Sequence, residues 1–225
     1  MVCHVGMPDL LQRDFSAVIF DVDGTLADSA RSLGRVWQTW LSEYEVVPPE
    51  GLNLNGMTNP AIVALALPQA DSSELARAVD RVHELEIQHA DLTTALPGAV
   101  AALSALAEAP TALATSAFRH IAAGRLGAAG IVVPSVVVTG DDVTRGKPDP
   151  EIFQLAAQRL GFSPADCLVV EDAPAGIQAA RAGGFPCLGV LTTSRAADLP
   201  ADLLVQDLSH VRFTVADSRV RLAVA

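Results

Sequence analysis

Short apolar runs alternate with segments of helical spacing along most of this chain. The run Ala17-Val18-Ile19-Phe20, which has β-branched and aromatic residues and no charge, is typical of a buried strand. After Pro97, five further runs of this kind follow, at 111–115, 136–139, 167–172, CLGVL and LLVQD. Helical segments separate most of them, at 98–108, 120–129, 150–160 and 175–182. This alternation predicts an α/β core, in which helices cover both faces of a parallel sheet.

The block between the first strand and Pro97 has a different pattern. No strand signal occurs in it, from about Thr25 to Leu96, and three helices are predicted at 30–44, 60–67 and 72–90. We therefore expect a core domain over residues 1–27 and 97–225, interrupted by a small all-helical insertion over residues 28–96. Trp37 and Trp40 have helical spacing, and we expect them in the core of this insertion or facing a ligand-binding cleft.

Composition limits the partners of the chain. Its formal net charge is −11, Lys147 is its only lysine, and basic residues form no cluster, which argues against nucleic acid and anionic membranes. No apolar run is long enough to span a bilayer, and the first residues lack the pattern of a secretory signal. The three cysteines lack metal-ligand spacing, so Cys167 and Cys187 are expected to be buried thiols in a reducing compartment. We predict a cytoplasmic monomer or weak dimer that binds a small molecule.

Residues with useful chemistry follow four of the predicted strands. Ligands of open α/β sheets bind outside the carboxyl ends of the strands, so the residues just after each strand are the most informative. Four carboxylates, two hydroxyls and the lone lysine stand there, namely Asp21 and Asp23, Thr115 and Ser116, Lys147, and Glu171 and Asp172. An Asp-Gly turn would explain Asp21 and Asp23 alone. It would not explain the other three strand ends, so the coincidence predicts a binding site at one edge of the sheet.

Crowded carboxylates repel one another and therefore need a cation. An all-oxygen environment favours Mg²⁺, which binds a few carboxylates, water and a substrate phosphate. Thr115, the backbone amides beside it and Lys147 offer hydrogen-bond donors and positive charge to an anion. Together these groups predict phosphoryl transfer. One aspartate would attack phosphorus to form an aspartyl-phosphate, and a second carboxyl would transfer protons.

Four motifs occur in the order that one known enzyme superfamily shows. The sequence DVDGT, then Thr115-Ser116, then GKPDP and then VVEDAPAG together resemble the motifs of the haloacid dehalogenase superfamily of phosphatases. The similarity extends over nearly the whole chain. It implies a Rossmann-like, doubly wound parallel sheet with a small helical cap inserted after the first strand, and a Mg²⁺-dependent phosphoric monoester hydrolase. Within the superfamily, the chain is most similar to bacterial sugar and polyol phosphatases of the β-phosphoglucomutase-like branch.

The resemblance also implies a role for each site residue. Asp21 would be the nucleophile and a metal ligand, and Asp23 the acid and base, with its backbone carbonyl towards Mg²⁺. Asp172 would be a direct metal ligand, and Glu171 a ligand through water. The phosphate would be held by Thr115 through its hydroxyl, by Ser116 through its amide and by Lys147, which would also contact the nucleophile. Gly24, beside the substrate, would let the chain turn away from the sheet towards the cap.

Three alternative functions stay open at this point. A sugar phosphomutase would use the same aspartyl-phosphate. A hydrolytic dehalogenase would leave Asp23 and Asp172 unexplained, and a catalytically inactive binding module would not need an intact set of site residues. Relatives often have a His-Gly-Arg-like segment in the cap, where this chain has Asn55-Gly56-Met57. We therefore expect a smaller, neutral leaving group.

Other side chains near the site have less specific interpretations. Asp149 is expected either to begin a helix or to support Lys147. His83 and His89 are expected on the surface of the cap, and His120 is expected to pack at the start of a helix. The last dozen residues give no clear signal.

Overall fold

The computed structural model describes residues 10–47 and 58–224. Its α-helices are α1 (Ala30–Glu43), α2 (Asn59–Ala66), α3 (Ser72–Gln88), α4 (Ala99–Ala105), α5 (Arg119–Ala128), α6 (Glu151–Leu160) and α7 (Pro174–Ala182). Its strands are β1 (Ala17–Phe20), β2 (Ala27–Asp28), β3 (Thr94–Ala95), β4 (Thr111–Ala114), β5 (Val136–Val138), β6 (Cys167–Glu171), β7 (Cys187–Val190), β8 (Leu203–Val205), β9 (Val211–Ala216) and β10 (Arg219–Val224).

A six-stranded sheet forms the centre of the protein. Its strands lie in the order β5-β4-β1-β6-β7-β8, and every neighbouring pair is parallel. The first strand of the chain therefore lies in the middle, between β4 and β6. This position places the residues that follow β1 at the point where the strand order changes direction, which is where ligands bind in sheets of this kind.

Buried residues divide between the two faces of the sheet. Val18 and Phe20 of β1 belong to the core under α4 and α5, whereas Ala17 and Ile19 belong to the core under α6 and α7. Because both of its faces are covered, β1 is an uninterrupted apolar run rather than an alternating one. The doubly wound parallel sheet predicted from the sequence is confirmed.

Helices α1, α2 and α3 pack around a small core of their own, and we call these three helices the helical unit. Val36, Val63 and Leu85 are buried in this core together with Trp40. The Trp40 indole Nε1 donates a hydrogen bond to the backbone oxygen of Ala78 at 2.9 Å, which ties α1 to α3. The interpretation of Trp40 as a core residue is confirmed. The division of the chain into domains at residues 28 and 96 stays a prediction.

The chain passes between the sheet and the helical unit at two adjacent points. There β2 and β3 pair antiparallel, with Ala27 opposite Ala95 and Asp28 opposite Thr94. The expectation of no strand within this block is wrong at these four residues. Strands of two residues are too short to show an alternation of apolar and polar side chains, so no sequence pattern indicates them.

The end of the described chain forms an antiparallel hairpin of β9 and β10. Asp217 and Ser218 make its two-residue turn with φ angles of 51° and 58°, as a type I′ turn requires. Phe213 and Val220 are buried against the sheet, and Val220 also pairs with Phe15. Apolar residues alternate in both strands, and this signal could have predicted the hairpin. The turn lacks glycine, so its sequence gives only a weak indication.

The two cysteines of the described ranges are buried and unpaired, as expected. Burial raises the pKa of the Cys167 thiol to about 12, and it also raises the pKa of Cys187. Both thiols therefore stay protonated and unreactive. In the part of the chain that the structure describes, no helix is both long enough and apolar enough to cross a bilayer. The cytoplasmic location and the oligomeric state stay predictions.

Candidate active site

The ends of three adjacent strands bring the predicted site residues together. Phe20 of β1 lies opposite Leu113 of β4 and Val170 of β6, so the residues that follow all three reach the same edge of the sheet. Asp21 continues this pairing, because its backbone N–H donates to the oxygen of Val170 at 3.0 Å. Its side chain is buried, as is that of Thr115 at the end of β4. Parallel pairing therefore places these residues side by side.

Lys147 supplies the positive charge at this edge, from the loop between β5 and α6. Its Nζ donates to Asp21 Oδ1 at 2.5 Å and to Glu171 Oε2 at 2.7 Å. The Lys147 side chain is 8% exposed. Burial by itself would lower the pKa of Lys147, but the two carboxylates outweigh burial and raise it. The lysine therefore stays charged and holds two acidic side chains.

Three carboxylates form an acidic cluster beside Lys147. Asp21, Glu171 and Asp172 are buried, and each offers an oxygen within 4.8 Å of the others. Burial raises the pKa of Asp21 and of Asp172, and the charge of Glu171 raises both further. One lysine cannot neutralise three carboxylates. Buried oxygen ligands that repel one another fit a hard divalent cation such as Mg²⁺.

Backbone amides and threonine hydroxyls fix the two acidic residues at the end of β6. Glu171 Oε1 accepts hydrogen bonds from the amides of Asp172 and Ala173, both at 3.0 Å. Asp172 Oδ1 accepts from the hydroxyl of Thr25 at 3.1 Å, and its Oδ2 accepts from the hydroxyl of Thr193. These contacts hold the carboxylates in place against their mutual repulsion.

Two glycines leave room for these carboxylates. Gly24 has a φ of +89°, which favours glycine, and a β-carbon there would overlap Asp172 Oδ2. Gly176, in the first turn of α7, lies under Glu171, and a β-carbon there would overlap the Glu171 carboxylate. Gly24 therefore turns the chain at the site, as expected, and Gly176 lets α7 begin directly beneath an acidic residue.

Replacing Gly176 with alanine should lower the free energy of unfolding by about 1–3 kcal/mol, because the added methyl group displaces Glu171. Urea denaturation of the metal-free protein measures this loss. Gly34→Ala in α1 is the matched control, since no atom of the described residues lies within 4 Å of a β-carbon there. Removing an exposed helical glycine should raise stability by about 0.5–1 kcal/mol. Equal stabilisation by both alanines would contradict the steric argument.

Thr115, Ser116 and Asp23 lie around the acidic cluster without joining it. Thr115 Oγ1 accepts from the backbone N–H of Ala117 at 3.1 Å, which leaves the hydroxyl hydrogen free to turn towards a ligand. Ser116 is exposed beside it. The Asp23 carboxylate instead contacts Arg125 on α5, with Nη1 at 2.9 Å from Oδ1. The site residues predicted from the sequence thus share one edge of the sheet, and the Asp23 side chain is separate from the three clustered carboxylates.

The structure decides between several interpretations of nearby residues. Asp149 Oδ1 accepts from the backbone N–H of Glu151 at 3.0 Å, so Asp149 lies just before α6 and binds its first backbone amide, in agreement with the helix-start interpretation. The expectation of a surface position for His83 is wrong, because its half-buried ring contacts the Phe118 ring edge-on at a centroid distance of 4.9 Å. Tertiary packing of α3 against the core causes this burial. The segment Asn55-Gly56-Met57 lies outside the described residues.

His89 and His120 are also at the junction of the helical unit and the core. His89 is half-buried rather than on the surface, since it lies where α3 ends against the core. His120 is exposed in the first turn of α5, and its ring stacks near Phe118 at a centroid distance of 6.2 Å. Its expected position at the start of a helix is confirmed.

Sequence reasoning missed several residues that organise the site. Thr192 and Thr193 follow β7, so the rule that residues just after a strand line the site would have selected them too. Thr192 donates a hydrogen bond to the backbone oxygen of Gly24. Arg125 and Glu86 lie inside helices, at positions that no motif marks. Their ion pair, with Nη2 at 2.9 Å from Oε1, joins residues 39 positions apart, and only tertiary packing reveals it.

Comparisons with known proteins agree with this geometry. A family model described as haloacid dehalogenase-like hydrolase matches residues 15–184. Hexitol phosphatase A of Escherichia coli (strain K12) is 38% identical over 205 residues, covering 87% of this chain and 93% of that relative. A fructose-1-phosphate phosphatase of the same organism is 32% identical over 181 residues, covering 78% of this chain and 96% of the relative.

A solved structure shows the same fold. The crystal structure of a β-phosphoglucomutase from Clostridium difficile matches with a TM-score of 0.76 and 23% identity, over 88% of this chain and 93% of that one. The resemblance inferred from the four motifs is therefore confirmed: the chain belongs to the haloacid dehalogenase-like hydrolase family.

Proposed function

We propose that this protein is a Mg²⁺-dependent phosphatase of small sugar and polyol phosphates, which acts through an aspartyl-phosphate at Asp21. One observation carries the proposal. The Asp21 carboxylate lies at the carboxyl end of the central strand, paired to Lys147 at 2.5 Å and grouped with Glu171 and Asp172. This arrangement offers a nucleophile, a fixed positive charge and oxygen ligands for a cation within one small volume.

The acidic cluster is the natural site for the metal. Asp21, Glu171 and Asp172 would hold Mg²⁺ together with the backbone carbonyl of Asp23, and the ion would neutralise negative charge on the phosphoryl oxygens. The raised pKa values of Asp21 and Asp172 support this assignment, because a cation there would relieve the repulsion that causes part of them.

The first half of the reaction breaks the phosphate ester. An oxygen of Asp21 attacks phosphorus, the bond from phosphorus to the ester oxygen breaks, and Asp23 gives a proton to the departing alcohol. Lys147, Thr115 and the amide of Ser116 hold the phosphoryl oxygens during the transfer. Products of this step are the free alcohol and an aspartyl-phosphate.

The second half releases inorganic phosphate. Asp23, now ionised, takes a proton from water, whose oxygen attacks phosphorus. The bond between phosphorus and the Asp21 oxygen breaks, which restores both aspartates. The Asp23 carboxyl therefore serves first as the acid and then as the base. This double role requires that the Asp23 side chain does not bind the metal, and its contact with Arg125 holds it away from the acidic cluster.

Residues 28–96 would serve as the cap that selects the leaving group. Helix α3 already packs on the core beside the site, where His83 contacts Phe118. Closure of such a cap excludes bulk water and orients the substrate. The phosphatases that resemble this chain are named for hexitol and fructose phosphates, so we infer a polyhydroxylated leaving group.

Phosphate release from sugar and polyol phosphates should require Mg²⁺ and should stop when excess EDTA is added. Colorimetric phosphate determination over a panel of such esters measures it. Asp172→Asn should raise the Mg²⁺ concentration for half-maximal rate about 10- to 100-fold, because a ligand loses its charge. Asp198→Asn is the control, because Asp198 is 44% exposed and pairs with Arg195 rather than with the acidic cluster, and it should leave the Mg²⁺ concentration for half-maximal rate unchanged.

Two outcomes of the same assay would overturn the proposal. Conversion of a sugar phosphate to its isomer without release of inorganic phosphate would identify a phosphomutase. No turnover of any phosphate ester at any Mg²⁺ concentration would favour an inactive binding module.

A further inference from the structure

Arg125 occupies an unusual position between the core and the helical unit. It lies on α5, is 3% exposed, and contacts two carboxylates from different parts of the chain. Its Nη1 lies 2.9 Å from Asp23 Oδ1, in the loop after β1, and its Nη2 lies 2.9 Å from Glu86 Oε1, on α3. One buried guanidinium thus connects the loop that follows the central strand to the helical unit.

Glu86 is itself fixed by two contacts, one from the helical unit and one from Arg125. Glu86 is 5% exposed, and its second oxygen accepts a hydrogen bond from Asn59 Nδ2, on α2, at 3.1 Å. Burial raises the pKa of Glu86, and Arg125 opposes this effect. Two helices of the helical unit therefore fix the Glu86 carboxylate, and the carboxylate in turn fixes the planar guanidinium.

The guanidinium fixes Asp23 through one oxygen only. Within the described ranges, Asp23 Oδ2 has no hydrogen bond, and the side chain is 25% exposed. The bonded oxygen sets the orientation of the carboxylate, and the other oxygen stays accessible. A carboxylate held in this way can exchange a proton at Oδ2 without losing its position.

We propose that Arg125 is a positioning residue that aims the Asp23 carboxylate at the leaving group, and that Glu86 makes this aim depend on the packing of the helical unit against the core. The inference rests on the proposed function, because it assigns Arg125 to the proton transfer by Asp23. Closure of the helical unit would then fix the orientation of the general acid, Asp23, and would also enclose the substrate. A phosphate ester would be cleaved only after the helical unit has enclosed the substrate and the Asp23 carboxylate has been oriented.

Leaving-group chemistry separates positioning from a merely structural role. A sugar alkoxide is a poor leaving group and needs the proton from Asp23, whereas 4-nitrophenolate is stable and leaves without one. The constant kcat/KM covers only the steps up to the cleavage of the ester. Its dependence on the leaving group therefore reports on Asp23 as an acid and not on the later attack of water.

The test compares kcat/KM for a hexitol 6-phosphate and for 4-nitrophenyl phosphate in two variants. Arg125→Gln should lower kcat/KM for the hexitol phosphate about 100-fold, and kcat/KM for the aryl phosphate less than about 3-fold. Glu86→Gln should show the same selectivity with a smaller loss, since Arg125 keeps its contact with Asp23. Glu86→Gln decides the test if Arg125→Gln fails to fold by circular dichroism.

Arg81→Gln is the matched control on α3. Among the described residues, Arg81 forms ion pairs with Glu43 of α1 and Glu84 of α3, both in the helical unit, so its loss should leave both values of kcat/KM unchanged. Equal losses on the two substrates in the Arg125 and Glu86 variants would overturn the positioning role, and so would no loss on either. Inactivity of the wild-type protein on both substrates would instead overturn the proposed function.

Discussion

Replacing Asp21 with asparagine is expected to lower phosphate release by about 10⁴-fold or more, the largest effect of any single substitution in this chain. An amide oxygen does not form a stable bond to phosphorus, so no aspartyl-phosphate can accumulate. Steady-state phosphate release measures the loss. Mass spectrometry of the acid-quenched protein tests it independently, because wild-type protein should gain the mass of one phosphoryl group and the variant should not.

The fold should survive this substitution. Burial and the charge of Glu171 raise the pKa of Asp21, so the ionised side chain is unfavourable in its present environment. Asparagine has the same shape and no charge, and Lys147 keeps its contact with Glu171 at 2.7 Å. Asp28→Asn is the matched control, and it should leave phosphate release unchanged. Substantial phosphate release by Asp21→Asn would show that another residue is the nucleophile.

Replacing Lys147 with methionine is expected to reduce both activity and stability. Methionine fills a similar volume but cannot donate to Asp21 and Glu171, which would then face each other without a cation. Breaking a buried ion pair in this way costs about 3–5 kcal/mol. Loss of the charge that holds the phosphoryl oxygens should lower kcat/KM about 10³-fold.

Urea denaturation of the metal-free protein and phosphate release measure these two effects separately. Arg145→Met is the matched control, because it removes a cation two residues earlier in the same loop. Its side chain is 70% exposed, so its ion pairs should contribute less than about 1 kcal/mol. Equal free energies of unfolding for Lys147→Met and Arg145→Met would contradict the interpretation that Lys147 is a buried partner that stabilises the acidic cluster.

Much of the fold could be predicted because its elements are encoded in short windows. The run over 17–20 is apolar without interruption, since both faces of β1 are covered, and the helices have apolar residues at helical spacing. Where a pattern needs more residues than the element has, prediction fails, as it did for β2 and β3. The hairpin of β9 and β10 has the required alternation but a turn without glycine, so its signal was easily missed.

The candidate site could be predicted for a related reason. Parallel strands bring their carboxyl ends to one edge, so a residue just after a strand is placed in space by its position in the sequence alone. Asp21, Thr115 and Glu171 follow this rule, and the structure places all three together. The same rule applied to β7 would also have found Thr193, which binds Asp172.

The sequence by itself therefore determined the parallel sheet, the helices α1, α2 and α3 between the first strand and Pro97, and the identity of the acidic and basic residues at the strand ends, because local periodicity and strand order encode them. Only the tertiary structure decided how Asp23 is held. Arg125 lies 102 residues from Asp23 and 39 from Glu86, inside a helix whose sequence gives no sign of either contact. Such a pairing arises from the packing of α3 on α5, and packing between distant segments is not encoded in any window of neighbouring residues.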